Sequence, residues 1–370
     1  MRVGLVLGAG GVLGGAWLTG GLHALAEETD WDPGSADFIV GTSAGSMIGA
    51  LAAAGVPPWF MVAHSAGESF GGVMAADGTP AAEADRAAGA VFRLHRGLPP
   101  IGPGSLRMAL TALRNPLGHT PLQMMAGWVP AGLISTDSLR EIVRRATPGR
   151  WVEHPNYWAV ACDYGTGRRV AFGRLDAPNA EIAQAVAASC AIPGFYRPVR
   201  IDNRRYVDGG VCSASNLDLV AGRGLDLVIC LNPLSSGTQL ESGNAAGPHG
   251  RLGPLDPRGW LGALSRQANG RRLAHEAAKV RRFGAEVLLV EPTPVDHAAM
   301  GHNLMSARRR QQVIATATQT VREQLRRPEV KALLRDLPLG EPHKVRRPPG
   351  PPSSWPPLRP AVYAERARAA

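Results

Sequence analysis

Aromatic residues are scarce, at 5% of the 370 positions. No helix-turn-helix or zinc-finger spacing is present, and basic and aromatic residues do not interleave. Nucleic-acid recognition therefore loses its usual reading elements, and no nucleic-acid partner is expected. Cysteine is scarce too: Cys162, Cys190, Cys212 and Cys230, with no C-x-x-C pair. Each sits among apolar or small residues, which points to buried free thiols, a reducing compartment and a cytoplasmic protein. No unbroken apolar run reaches the ~18 residues that cross a bilayer. A Gly-Lys-Ser/Thr phosphate loop is absent, and so is dedicated metal-ligand spacing, so no metal or organic cofactor is expected. Acidic residues are in deficit: 30 Asp and Glu against 40 Lys and Arg leave a formal charge of +10. That balance calls for an anionic partner, and with nucleic acid weakened an anionic membrane surface remains.

What the chain has is glycine, 45 residues of it, and an apolar content of 45%, enough for a sizeable core. Its organising stretch is Gly41-Thr42-Ser43-Ala44-Gly45. Phe38-Ile39-Val40 reads as a buried strand before it, and residues 46–54 read as a helix ending at Gly55. G-x-S-x-G between strand and helix is the nucleophile-elbow pattern: the turn is tight, so Gly41 and Gly45 must be small, and the Ser43 hydroxyl projects beside a helix N-terminus. The pentapeptide also occurs by chance in glycine-rich chains, and the flanking strand and helix are what favour the functional reading.

Residues 2–7 read as the first buried strand, Gly8 to Gly15 as a glycine loop, and residues 16–28 as a helix. Gly8 and Gly10 begin a G-x-G-x-x-G dinucleotide fingerprint, but its last position falls on Leu13, so the match fails. Such a loop offers backbone N–H groups free of side chains, as an oxyanion hole requires. A plain strand-to-helix turn is the other reading. Arg2 and Ala24-Leu25-Ala26 imitate a secretory signal with a cleavage site. Cleavage there would remove the loop, so the stretch is expected to stay.

In these residues the chain resembles the patatin-like phospholipase family. That family carries a G-G-G-x-[Arg/Lys]-G oxyanion loop at its first strand and a G-x-S-x-G serine farther on. Here Ala9-Gly10-Gly11-Val12-Leu13-Gly14 occupies the loop, and 33 positions separate Gly10 from Ser43. Ala9 replaces a glycine, and Leu13 stands where the family usually has a basic residue. The stretch Ser189-x-x-x-Pro193-x-x-x-x-Pro198 also matches, and it precedes Tyr206-Val207-Asp208-Gly209-Gly210. The resemblance implies a three-layer α/β/α fold with a largely parallel sheet. It implies a lipid acyl hydrolase of phospholipase A type acting on a lipid or phospholipid. It makes Ser43 the nucleophile, Asp208 its general base without a histidine, and Gly10, Gly11 and Val12 the oxyanion donors. Gly209 and Gly210 are expected to let the backbone turn sharply there. Alone, Asp-Gly-Gly is only a turn signal.

The remaining chain sorts around these motifs. Residues 1–330 form the expected catalytic domain, with 57–132 a variable helical, lid-like insertion and 341–370 a disordered tail with eight prolines from Pro342 to Pro360. In the insertion, Leu106, Leu110 and Leu113 recur at helical spacing with Arg107 and Arg114 on another face, and Met124, Met125, Trp128 and Val129 follow. Two readings stay open: an ordinary packed helix, or a basic amphipathic segment that meets lipid or covers an acyl pocket. Further helices are expected at 138–146, 182–189, 260–282 and 306–326, and strands at 158–162, 170–172, 225–233 and 286–292. Three rivals stand beside the hydrolase reading. One is a Ser-Asp-His esterase using His275, His297 or His302, which would place its elbow later in the sheet. Another is a catalytically weak or inactive relative that only binds lipid. The third is a charge-driven duplex binder.

Overall fold

The computed structural model describes residues 1–68, 92–95, 102–114, 121–147, 149–236, 257–351 and 354–356. Eight strands form one sheet: β1 (Val3–Leu7), β2 (Phe38–Thr42), β3 (Tyr157–Asp163), β4 (Arg169–Phe172), β5 (Val199–Ile201), β6 (Arg204–Asp208), β7 (Leu227–Leu231) and β8 (Glu286–Val290). Their order is β5-β6-β3-β2-β1-β7-β8, with β4 also paired to β3. The run β3-β2-β1-β7-β8 is parallel, whereas β6, β5 and β4 attach antiparallel. Parallel strands are covered on both faces and so read as near-continuous apolar runs, as β1, β2 and β7 do.

The two faces separate by the strand period of two. Leu5, Leu7, Ile39, Ala159, Ile229 and Leu231 belong to the larger core. Val6, Val40, Val160, Val228 and Cys230 belong to the smaller one. The larger core is covered by α1 (Gly11–Thr29), α2 (Ala44–Ala53), α6 (Asp137–Ala146), α7 (Ile182–Ser189) and α10 (Arg310–Leu325). The smaller is closed by α8 (Pro257–Arg282) through Leu273, Ala277 and Val280. The result is the three-layer arrangement expected from the resemblance.

Helix α1 lies against α10 so closely that a Cβ on Gly20 would sit 3.0 Å from Ala317 Cβ. Arg322 of α10 and Arg326, which caps its end, reach Glu27 and Glu28 of α1. Between α2 and α6 come α3 (Pro58–Ser65), α4 (Leu106–Arg114) and α5 (Pro121–Trp128). These are the described helices of the expected insertion; its residues 69–91, 96–101 and 115–120 lie outside the described residues.

The structure departs from the sequence reading in several places. The glycine loop is shorter than expected, because α1 already begins at Gly11. After α10, which ends near its expected place, the chain adds α11 (Pro328–Leu334) and α12 (Pro342–Val345). Helix α9 (Pro294–Met300) is a further addition; it is held by a reciprocal Thr293–Asp296 cap. From residue 341 the expected disordered tail is, over 341–351 and 354–356, folded onto the body. Trp59 Nε1 donates to His343 O at 2.9 Å, Trp355 packs edge-on against Trp59, and Arg346 pairs with Asp30. Residues 357–370 lie outside the described residues.

Candidate active site

The elbow forms where β2 meets α2. Ser43 holds φ +54° and ψ −122°, a left-handed backbone rarely adopted by a residue with a side chain. Such strain costs on the order of 1–3 kcal/mol and must be imposed by the surroundings. Those surroundings are identifiable. The Ser43 N–H donates to Ser189 Oγ at 2.9 Å, and Ser189 in turn donates to the Val160 carbonyl at 2.6 Å. The Ser43 carbonyl receives Ser46 Oγ at 2.7 Å and Cys190 Sγ at 3.2 Å. Gly41 and Gly45 are required by contact: a Cβ on Gly41 would run into the Gly45 backbone, and one on Gly45 into the Leu7 carbonyl.

The glycine loop lies beside the elbow at the end of β1. Leu13 N–H donates to Leu304 O, and Gly14 N–H to Gly10 O, both at 2.9 Å. The N–H groups of Gly10, Gly11 and Val12 have no acceptor among the described residues. Gly11 has φ +61°, and a Cβ there would stand 2.9 Å from Met305 Sδ. Leu13, at the position of the family's basic residue, does not face the site. It is fully buried in the larger core.

Asp208 ends β6. Register brings it level with Ser43: Thr42 pairs with Val160, and Ala161, the next residue on β3, pairs with Asp208. The Ser43 side chain lies close enough to its carboxylate to favour the charged form. The carboxylate accepts the Gly210 N–H at 2.7 Å, while the Asp208 N–H donates to Ala191 O at 2.9 Å. Burial raises its pKa from 3.8 to about 6, although nearby Ser43 and the Gly210 hydrogen bond favour the charged form. Gly209 is small because its α-carbon lies against the Val160 carbonyl, and neither Gly209 nor Gly210 has a positive φ. Close approach, not an unusual turn, demands Gly209, while a Cβ on Gly210 would meet the Asp208 carboxylate at 3.0 Å.

Ser43 is only 3% exposed and Asp208 5%. The serine opens onto a groove walled by Val12, Met47, Ile48, Leu139, Ile192, Tyr196 and Met305. Among the described residues no histidine hydrogen-bonds to Ser43 or Asp208. His275 and His302 are exposed on the surface. His297 lies in α9, where burial lowers its pKa to about 4.

Sequence reasoning missed the roles of Ser189, Cys190 and Ala191, which together hold Ser43 and Asp208. It also missed the segment that follows Asp-Gly-Gly. There Ala214 O accepts the Ala9 N–H at 2.8 Å, and the Asn216 amide reaches Thr42 Oγ1 at 2.9 Å. Buried Glu276 of α8 accepts Ser213 Oγ, Ser215 Oγ and the Leu217 N–H at 2.7, 2.5 and 2.9 Å. The match of Ser189 to the family stretch was the available signal for the first group. Ser213, Ser215 and Asn216 left none, because their partners are remote in sequence.

These relations define an α/β protein built around an elbow serine with a buried carboxylate beside it. The chain belongs to the patatin-like phospholipase family, whose model matches residues 5–221, more than half of the molecule. At the level of the family this is a fold of lipid acyl hydrolases. Over 143 residues the chain is 30% identical to uncharacterized NTE family proteins of Mycobacterium bovis and Mycobacterium tuberculosis. The matched segment covers 38% of this chain and 36% of each relative. Among the described residues no helix is long and apolar enough to cross a membrane.

Proposed function

We propose that the protein hydrolyses a carboxylic ester of a lipid or phospholipid with Ser43 as nucleophile and Asp208 as general base. The observation that carries this reading is the placement, by strand register, of a buried carboxyl raised to about 6 beside the strained elbow serine. A base poised near neutrality is ionised at working pH yet holds a proton well enough to return it. Ser43 Oγ attacks the acyl carbonyl carbon as its proton passes to Asp208. The carbonyl π pair moves to oxygen, which the N–H groups of Gly10, Gly11 and Val12 receive. Each such donor is typically worth ~10²–10³ in rate. Collapse expels the alcohol, which takes the proton from Asp208. Water then attacks the acyl-enzyme, giving its proton to Asp208, and Ser43 leaves as the hydroxyl with that proton. The apolar groove beside Ser43 suits an acyl chain.

The test is fatty-acid release from mixed anionic and neutral phospholipid vesicles, with wild type and Ser43→Ala side by side and fluorophosphonate labelling in parallel. Release and labelling are expected from wild type and from neither in the variant. Full hydrolysis by clean Ser43→Ala protein overturns the assignment. Folded wild type that binds vesicles yet neither labels nor hydrolyses favours a lipid-binding protein.

A further inference from the structure

Helices α4 and α5 carry their apolar stripe outward. Among the buried side chains of the pair, Met108 and Ala126 pack on Tyr164, Val207 and Val211. Gly127 lets α5 close onto α4: a Cβ there would sit 2.6 Å from the Ala109 nitrogen. On the opposite sides, Leu106, Leu110 and Leu113 of α4 and Leu122, Met125 and Trp128 of α5 are exposed, Leu106 by 57% and Met125 by 63%. These are six of the fourteen large apolar side chains exposed among the described residues. Soluble surfaces seldom gather such residues without a partner.

Two further observations say what the partner is. The first is charge. From Arg86 to Thr136 the sequence has 51 consecutive residues without Asp or Glu, and five of them are arginines. Arg107 and Arg114 are exposed and lie along one flank of the leucine stripe at helical spacing. Arginines beside an exposed apolar stripe fit an interfacial helix, whose stems run along the apolar layer while the cations meet headgroups. The second is continuity with the groove. Beyond α5 the chain runs along the groove wall, with Ile134 N–H donating to Phe195 O at 3.2 Å and Arg197 N–H to Ile134 O at 2.9 Å. Exposed Phe92 packs on Phe195 and Tyr196 at ring distances of 5.2 and 6.4 Å, and Tyr196 lines the groove.

We infer that the outer face of α4 and α5 is a docking surface for an anionic lipid bilayer, seating the protein with its groove at the membrane. The geometry stands by itself; only the purpose of docking rests on the hydrolase reading.

The experiment is cosedimentation of the full chain with vesicles of phosphatidylcholine alone and of phosphatidylcholine with phosphatidylglycerol. Wild type, Ser43→Ala, Leu110→Asp/Met125→Asp and Arg107→Gln/Arg114→Gln are compared, with turnover of a water-soluble short-chain ester as a second readout. Wild type and Ser43→Ala are expected to bind the anionic vesicles equally. The apolar pair should lose binding at least ~10-fold. The arginine pair should lose about fivefold per residue, less in high salt. Soluble-ester turnover should be unchanged in both pairs and absent in Ser43→Ala. Trp128 should be quenched by brominated lipid, seen as the difference from Trp128→Phe, which covers the case of a misfolded charge variant. Equal binding by the apolar pair, equal binding to both vesicle types, or no binding by folded wild type overturns the inference. So does a wild-type dimer in solution that the apolar pair abolishes, which makes a second copy the occupant. Absence of soluble-ester turnover in wild type with binding intact would sink the hydrolase reading and leave the docking surface standing.

Discussion

Asn216 donates through its side-chain amide to Thr42 Oγ1 at 2.9 Å, one residue before the elbow serine, and accepts from Arg169 at 3.1 Å. Asn216 sits in a left-handed backbone, φ +54°, in the segment that follows Asp208. The three motifs therefore meet in one place, and Glu276 anchors it from α8. Replacing Glu276 by alanine strips the acceptor from two buried hydroxyls and one backbone N–H. Each unsatisfied buried donor costs about 1–3 kcal/mol. Glu276→Ala is expected to lose roughly 3 kcal/mol or more in denaturant unfolding. Glu276→Gln, which keeps an acceptor oxygen, should lose less. Equal stability of Glu276→Ala and wild type would refute the anchoring role.

The raised pKa of Asp208 gives two linked expectations. As a base it must be ionised, so kcat/KM should rise with pH through about 6 and level off above it. For stability the sign is opposite. The folded carboxyl holds its proton more tightly than the unfolded one, so between 3.8 and about 6 the unfolded chain binds fewer protons and stability falls as pH rises. Above that window the carboxylate costs the fold about 3 kcal/mol. Asp208→Asn should therefore be inactive but more stable than wild type at pH 7 to 8, with the gain gone below pH 4. An Asp208→Asn variant that is less stable than wild type at neutral pH would contradict the desolvated carboxylate.

Legibility in the sequence followed the range of the forces. Strands β1, β2, β3 and β7 were readable because burial on both faces leaves an unbroken apolar run, and the elbow because its small residues are local. The glycine loop was read too long. Gly14 and Gly20 belong to α1 and are small so that Pro233 and α10 can approach, which is a tertiary demand. The Leu106-Leu110-Leu113 stripe predicted a helix correctly, but spacing alone does not say whether a stripe faces core or solvent. Prolines after 341 suggested disorder, whereas docking there depends on Trp59 and Asp30, remote in sequence. The clamp by Ser189 is similar: it joins residues 146 positions apart.

The elbow glycines make a direct prediction about packing. Gly45 faces the Leu7 carbonyl with no space for a methyl group. Neither partner is the end of a flexible side chain, so relief requires α2 to move away from β1. Overpacking of this kind costs about 1–3 kcal/mol, occasionally more. Gly45→Ala should show that loss in denaturant unfolding, together with slower fluorophosphonate labelling because Ser43 is carried on the displaced turn. Normal labelling with unchanged stability would mean that the backbones are farther apart.

Leu13→Arg restores the residue type that the family usually carries in this loop. The side chain at this position is fully buried within the core that joins α1 to the sheet. A guanidinium there must leave water without a carboxylate to meet it. Burying an unpaired polar or charged group costs several kcal/mol. The variant is therefore expected to lose about 3 kcal/mol or more and to gain no activity. Leu13→Met, which conserves volume, should stay within about 1.5 kcal/mol of wild type. Denaturant unfolding of both variants, with ester turnover measured alongside, decides the matter. A stable, faster Leu13→Arg protein would mean that the first turn of α1 opens toward the site and that the basic residue of the family acts there.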